Sequence, residues 1–436
     1  MLKLPAVCIC LAVIWLAIVS AINGCSSSSS SSVDTGFGTS GKVLTAVDSA
    51  NVNGNAMVIQ PDDLVIVAGS KETDAGGNIV LARYSSDGAL DAAFGLRGIV
   101  TTPIGGIKDS ANAVVLQPDG KIIIAGYTWD GSDYRFALAR YASSGVLDPS
   151  FGAGGIVITS GVDGVDELAY AVALQTDGKI VVAGYSGIDN HSFALARYTS
   201  DGRLDTTFGV GGKVTTAVAS DPVDDLAYAV KILSDGKILV AGMSYEGKYK
   251  FAVVRYTTAG AVDTTFGVNG IVTTAVGSDG SGAYSLAING SGAIFAAGYA
   301  NNGTSDVFAL VKYTSNGNLD ISFGSGGIVV KDFGASGAIA YAILLKTDGK
   351  ILIAGYNDNF EPDSETPTGL DFAMAAYNPD GSPDTSLAPG GEITTSIGDN
   401  VAFATAVGLQ QNGCIILSGC ATEGMQNKIA LIRYIP

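Results

Sequence analysis

From residue 33 to the end, the chain is built of apolar runs six or seven residues long, bounded by turn residues and too short to be buried helices. Aligned on one another, the runs repeat seven times at a spacing of about 57 positions, as between Asn55 and Asn112 (112 − 55 = 57). The first run, strand a, reads NAMVIQ from Asn55, NAVVLQ from Asn112, YAVALQ from Tyr170, YAVKIL from Tyr228, YSLAIN from Tyr284, YAILLK from Tyr341 and TAVGLQ from Thr405. A tight turn follows, usually Asp-Gly as at Asp119-Gly120, Asp177-Gly178, Asp235-Gly236 and Asp348-Gly349. The pair predicts a hairpin whose two central residues both take positive φ. Strand b is KIIIAGY, KIVVAGY, KILVAGM or KILIAGY, and its Ala-Gly pair marks a place where a neighbouring backbone comes close. Strand c is the run RFALARY, SFALARY or KFAVVRY, and a Gly-x-Leu-Asp-x-x-Phe-Gly turn leads to a short strand d such as GIVTT.

Four antiparallel strands in each copy predict the blade of a β-propeller, since a solenoid rung would take about half that length. The ends predict how the ring closes. The repeat region opens with a d strand alone, GKVLTAV from Gly41, and ends with an a-b-c set, TAVGLQ, CIILSGC and KIALIRY. Seven complete blades result only if the N-terminal strand joins the C-terminal blade, which also removes a free sheet edge. The fold class expected is therefore all-β, a seven-bladed propeller over residues 33–436.

The ordered motifs DGKIVVAGY, FALARY and LDTTFG resemble the delta-60 repeat, a bacterial propeller family, over essentially all of this region. That resemblance implies an extracellular or lipid-anchored protein and supplies no general activity. One copy departs from the pattern. Residues Pro383 to Ala388 read PDTSLA, and Ala376 stands where other copies have Arg or Lys, so a weaker blade junction is expected there.

Residues 1–24 carry Lys3, an apolar stretch from Ala6 to Ile22, and then Gly24-Cys25 before a run of seven serines. This is similar to a bacterial lipoprotein signal. The resemblance implies cleavage before Cys25, lipid on that cysteine, and Ser26 directing the protein to the outer membrane or cell surface. Residues 25–32 would then be a tether of about 15 Å root-mean-square reach. Membrane contact is expected through the lipid alone: no later apolar run reaches the length of a spanning helix, and runs this short fall below the roughly 9–11 residues of an outer-membrane strand. A net charge of −17 argues against nucleic acid, which needs a basic face.

Repeated residues are expected to be scaffold. Arg83, Arg140, Arg197, Arg255, Lys312 and Arg433 close strand c, and Asp91, Asp148, Asp205, Asp263 and Asp320 follow in the turn, with Asp34 available to Arg433 through ring closure. Gly152/Gly155, Gly209/Gly212 and Gly267/Gly270 precede strands and lack the Lys and Ser/Thr of a phosphate loop, so they read as turns. Cys414 and Cys420 flank one strand, about 20 Å apart if it forms, too far for a disulfide. Buried free thiols are expected. Catalysis has few staff: His191 is the one histidine, which excludes a site of several imidazoles and makes a solvated loop residue the simpler reading. No spacing of carboxylates singles out a glycosidase pair.

Variation concentrates in the b–c connections, at 71–77, 128–134, 186–191, 244–248, 300–306 and 357–370. These share a face with the d–a connections at the channel mouth, where a rigid scaffold presents binding residues. Trp129, Tyr134, His191, Tyr245 and Phe360 are the candidate ligand-binding residues there, suited to a carbohydrate or protein partner. Two d–a connections gather Asp163, Asp166 and Glu167, then Asp221, Asp224 and Asp225, oxygen donors that a Ca²⁺ site would use, although no EF-hand spacing is present. The expectation is an envelope-anchored binding or scaffolding module working through this face. The alternative is an enzyme acting on polysaccharide with carboxylates of the same loops.

Overall fold

A computed structural model describes residues 33–73, 76–159, 165–219, 224–334, 336–359 and 369–435. Cys25, Phe360, Asp163 and Asp221, and the segments 1–24 and 25–32, lie outside the described residues. The described chain forms seven four-stranded antiparallel sheets in a ring, each with its strands in the order a-b-c-d. Strand a is innermost, and each strand a touches those of both neighbouring blades, blade seven meeting blade one. The closing sheet pairs Lys42–Thr45 with Gln426–Tyr434, Lys42 opposite Ile432 and Thr45 opposite Ile429, so the N-terminal strand completes the last blade as the repeat count requires. Strands a, b and c run seven to nine residues rather than six or seven, because polar residues extend their ends toward the b–c face. Among the described residues no helix is long and apolar enough to cross a membrane.

The core lies between blades. In strand b both faces are covered, so Ile180, Val181, Val182 and Ala183 are all buried. Two side-chain links join successive blades. Tyr141 Oη at the end of one strand c donates to Thr102 Oγ1 of the preceding blade at 2.9 Å, and Tyr84, Tyr313 and Tyr434 repeat the contact. Arg197 Nε donates to Asp205 Oδ2 at 2.8 Å, its guanidinium lies 4.5 Å from the Phe208 ring centre, and its Nη1 donates to Thr258 O of the next blade. The expected Arg–Asp pairing is thus an inter-blade clip, including Arg433 with Asp34 across the closure. In blade six Ala376 leaves the clip without a guanidinium. Lys350 Nζ instead reaches Asp384 at 2.9 Å, and Leu387 and Ala388 pack where Phe-Gly stands elsewhere.

The a–b hairpins differ from the expectation. In the Asp-Gly turns only the glycine takes positive φ, 83° at Gly120 and Gly178, while the preceding aspartates do not; in the first blade Asp63 takes it in the glycine's place. Gln117 N–H donates to Lys121 O and Gly120 N–H to Gln117 O, which makes a three-residue loop, a type I turn followed by a left-handed glycine. Pro118 suits the first turn position, and the Asp119 carboxylate accepts the Lys121 N–H, so the aspartate is selected for its side chain rather than its φ. Cys414 and Cys420 are buried and unbonded to each other, as their spacing dictates.

Candidate functional site

Every strand a carries a β-bulge at the same place. The register slips between Ala169 and Ala171, between Ala227 and Ala229, and at the matching step of the other five blades. Strand b faces each bulge with its glycine, because a methyl group on Gly184 would sit 1.9 Å from Leu168 O. The close backbone approach expected at Ala-Gly is this contact. The extra residue of the bulge lines the central channel, giving a girdle of Asn55, Asn112, Tyr170, Tyr228, Tyr284, Tyr341 and Thr405.

The girdle has two unlike arcs. On one side Thr405 Oγ1 donates to Gly54 O (2.8 Å), Asn55 Nδ2 to Ala111 O (2.9 Å) and Asn112 Nδ2 to Ala169 O (2.8 Å), each reaching the bulge carbonyl of the next blade. On the other, the rings of Tyr170, Tyr228, Tyr284 and Tyr341 touch in sequence, with centres 5.1, 4.9 and 5.0 Å apart. A second tier from the ends of strand b packs over the aromatic arc. Tyr185 stacks on Tyr170 at 5.5 Å, Tyr299 meets Tyr284 at 6.1 Å, and Tyr356 meets Tyr341 at 6.0 Å. Burial pushes these phenols up, Tyr299 to about 12 with help from Asp306. They stay neutral donors and acceptors at physiological pH.

At the rim the candidate residues sit at strand ends rather than in free loops. Trp129 and Tyr134 are a cross-strand pair, stacked at 6.0 Å and half-buried, with Tyr127 edge-on to Tyr134 at 5.3 Å and Lys108 Nζ 5.6 Å from the indole centre. Tyr245 pairs with Tyr249 and lies edge-on to it at 5.2 Å. His191 departs from the solvated reading: its side chain is only 17% exposed, its Nδ1 is 2.6 Å from Asp224 Oδ1, and its ring meets Tyr185 at 4.8 Å. Asp224 also accepts from Tyr249 Oη at 3.2 Å, so one carboxylate joins the histidine of blade three to a tyrosine of blade four.

The carboxylates of the two acidic connections are committed to other tasks. Asp166 Oδ1 accepts the Tyr134 N–H at 2.9 Å. Asp225, buried at the start of its strand, accepts the Val218 N–H at 2.6 Å, and burial raises its carboxyl above the ordinary range. Asp109 does the same for Ile104 in blade two, which marks the position as a loop cap. Glu167 is buried with Lys213 Nζ at 3.9 Å. Among the described residues no three His, Cys, Asp or Glu side chains gather as metal ligands.

Spacing alone brought Trp129, Tyr134, His191 and Tyr245 to one face, as expected. It missed the tyrosine arc, although its signal was present in the first letter of each strand a, which reads N, N, Y, Y, Y, Y, T around the ring.

The chain is similar to a virginiamycin B lyase from Staphylococcus aureus solved with quinupristin (10% identity, 90% of this chain and 98% of that one covered, TM-score 0.48). It is also similar to Sqt1 from Chaetomium thermophilum bound to the N-terminus of ribosomal protein L10 (12%, 88% and 97%, 0.45), and to a periplasmic gluconolactonase from Pseudomonas aeruginosa (16%, 86% and 94%, 0.44). No curated protein matches the chain. A family model described as a domain of unknown function (DUF5122) beta-propeller matches residues 60–94, 117–151, 175–208, 233–266, 290–323 and 346–387. Those matches fall one to a blade on six of the seven four-stranded sheets, and they support a β-propeller repeat family for the chain.

Proposed function

We propose that the chain is a saccharide-binding propeller of the bacterial envelope, anchored by lipid on Cys25 and reading its ligand at the mouth formed by the b–c and d–a connections. The observation that carries this reading is the joined series of tyrosine rings on one side of the channel. Flat rings with neutral hydroxyls offer a sugar both an apolar stacking face and hydrogen bonds, and Asp166, Asp224 and Asp306 stand beside them as acceptors. The acidic rim favours neutral or amino sugars over acidic ones. Val33 bridges to Tyr434 at the c–d end of the last blade, on the face opposite this mouth, which supports an anchor attached on that side. A lipid on Cys25 would thus turn the mouth away from the membrane.

The test is a glycan array followed by titration calorimetry on residues 33–436, beside Trp129→Ala and Tyr228→Ala forms. Binding of a glycan class that both substitutions weaken by about tenfold, one strong contact's worth, supports the reading. An array without hits, or a hit indifferent to both substitutions, removes it.

A further inference from the structure

The junction between blades five and six lacks both of the side-chain links described above. Strand d ends on a threonine at Thr45, Thr102, Thr159, Thr216, Thr274 and Thr395, but on Lys331 in blade five. Tyr377 holds the place that Tyr141 and Tyr434 hold in their blades, and no threonine hydroxyl from the preceding blade meets it. It is only 4% exposed, and its Oη has no hydrogen-bond partner among the described residues. Lys312 stands where blade three has Arg197. Its one ammonium goes to Asp320 at 3.0 Å, and none of its described bonds crosses to blade six. Instead, Lys331 Nζ reaches Glu392 Oε1 of blade six at 2.6 Å.

An open groove of about 610 Å³ runs along strand d of blade five, Ile328–Lys331, within the usual range of small-molecule sites. Tyr377, Pro383, Gly391 and Glu392 form its blade-six wall. Half-buried Val329 and exposed Pro383 give it apolar surface that a ligand can reach.

The missing group indicates the ligand. A hydroxyl held out of water without a partner is unfavourable, and threonine is the partner that the repeat supplies elsewhere. A ligand hydroxyl can do the same, since it both donates and accepts. Lys331 and Glu392 already answer each other, so a charged ligand would have to part them or enter unpaired. A neutral apolar body has neither cost.

We propose that this cleft binds a small neutral single-ring alcohol, aromatic or alicyclic, its hydroxyl on Tyr377 Oη in place of the missing threonine and its ring against Val329 and Pro383. The site shares no residue with the tyrosine girdle or with the Trp129 cluster, and it stands or falls without the saccharide reading.

The test uses residues 33–436 with 4-fluorophenol as the probe and 4-fluorotoluene as its match without the hydroxyl, both followed by ¹⁹F NMR. The phenol is expected to bind in the millimolar range, and the toluene about tenfold more weakly, one hydrogen bond's worth. Tyr377→Phe, which removes only the hydroxyl, should bring the phenol down to the level of the toluene. Lys331→Thr, which supplies the hydroxyl found in the other blades, should weaken the phenol to a similar extent. In protein labelled with ¹³C in its valine methyls, the Val329 signals, assigned by their loss in Val329→Ile, should shift as the phenol is added. That readout is taken on the unsubstituted residues and holds even where a Tyr377 or Lys331 variant folds poorly. Trp129→Ala should leave phenol binding unchanged. Failure of the phenol to bind, equal binding of phenol and toluene, full phenol binding by folded Tyr377→Phe or Lys331→Thr, Val329 signals that do not move, or loss of binding with Trp129→Ala each overturns the proposal.

Discussion

Arg197 does three things at once: it pairs with Asp205, covers the Phe208 ring and donates to the next blade at Thr258 O, with its side chain only 6% exposed. Removing it leaves the Asp205 carboxylate buried with the weaker Lys179 contact at 3.4 Å. Arg197→Ala should therefore cost about 3 kcal/mol, read as a shift of the urea midpoint. Ala376→Arg, at the junction that lacks the clip, should instead leave stability level or raise it. The arginine–aspartate pair was legible in the sequence because it recurs eight positions apart in copy after copy. His191 and Asp224 were not, because their partnership spans 33 positions and occurs in one blade. A pair that the repeat does not repeat leaves no pattern to find.

Among the strands, the glycine of b and the bulge of a form one device. The bulge pushes a carbonyl toward strand b, and only a residue without Cβ accepts it. Gly184→Ala should thus destabilise by roughly 3 kcal/mol through overpacking. Gly290, in an a–b turn, has open space at its Cβ and no positive φ, so Gly290→Ala should be neutral or stabilise by about 0.4–1 kcal/mol. A pair of thermal melts checks both. The strands themselves were legible from their apolar runs and turn residues. The bulge was not, because one added residue changes which way a side chain points without changing the composition of the run. That is why the initial Tyr of YAVALQ gave no sign, as a letter, that it faces the channel.

For the molecule as a whole, repetition turns single titrations into limits on the ring. Asp205 titrates at about 2 when folded, held down by the Thr207 hydroxyl and N–H and by Arg197, against about 4 for an unfolded aspartate. Asp148 and Asp263 are lowered in the same way. Their stabilisation is complete above about pH 4 and is lost as the pH falls toward 2. The buried phenols of Tyr84, Tyr141, Tyr198, Tyr313 and Tyr434 run the opposite way. Desolvation raises them above the unfolded value near 10, so their contribution is complete below about pH 10 and is lost as the pH climbs past it. Melting temperature should be level across the neutral range and fall at both ends, the alkaline fall accompanied by phenolate absorbance. A melting curve already falling at pH 6 would show that these groups do not set the acid limit.

The strand Lys42–Thr45 is the first to be made and the last to be satisfied, because the strand it pairs with is Gln426–Tyr434. During synthesis it must travel with an open edge while six blades take shape behind it. Synthesis of Gln426–Tyr434 is therefore the event that fixes the ring, and no earlier moment offers a substitute. A chain that lacks the nine residues of that strand keeps both edges open, and a second copy of itself is the nearest source of a strand to fill them.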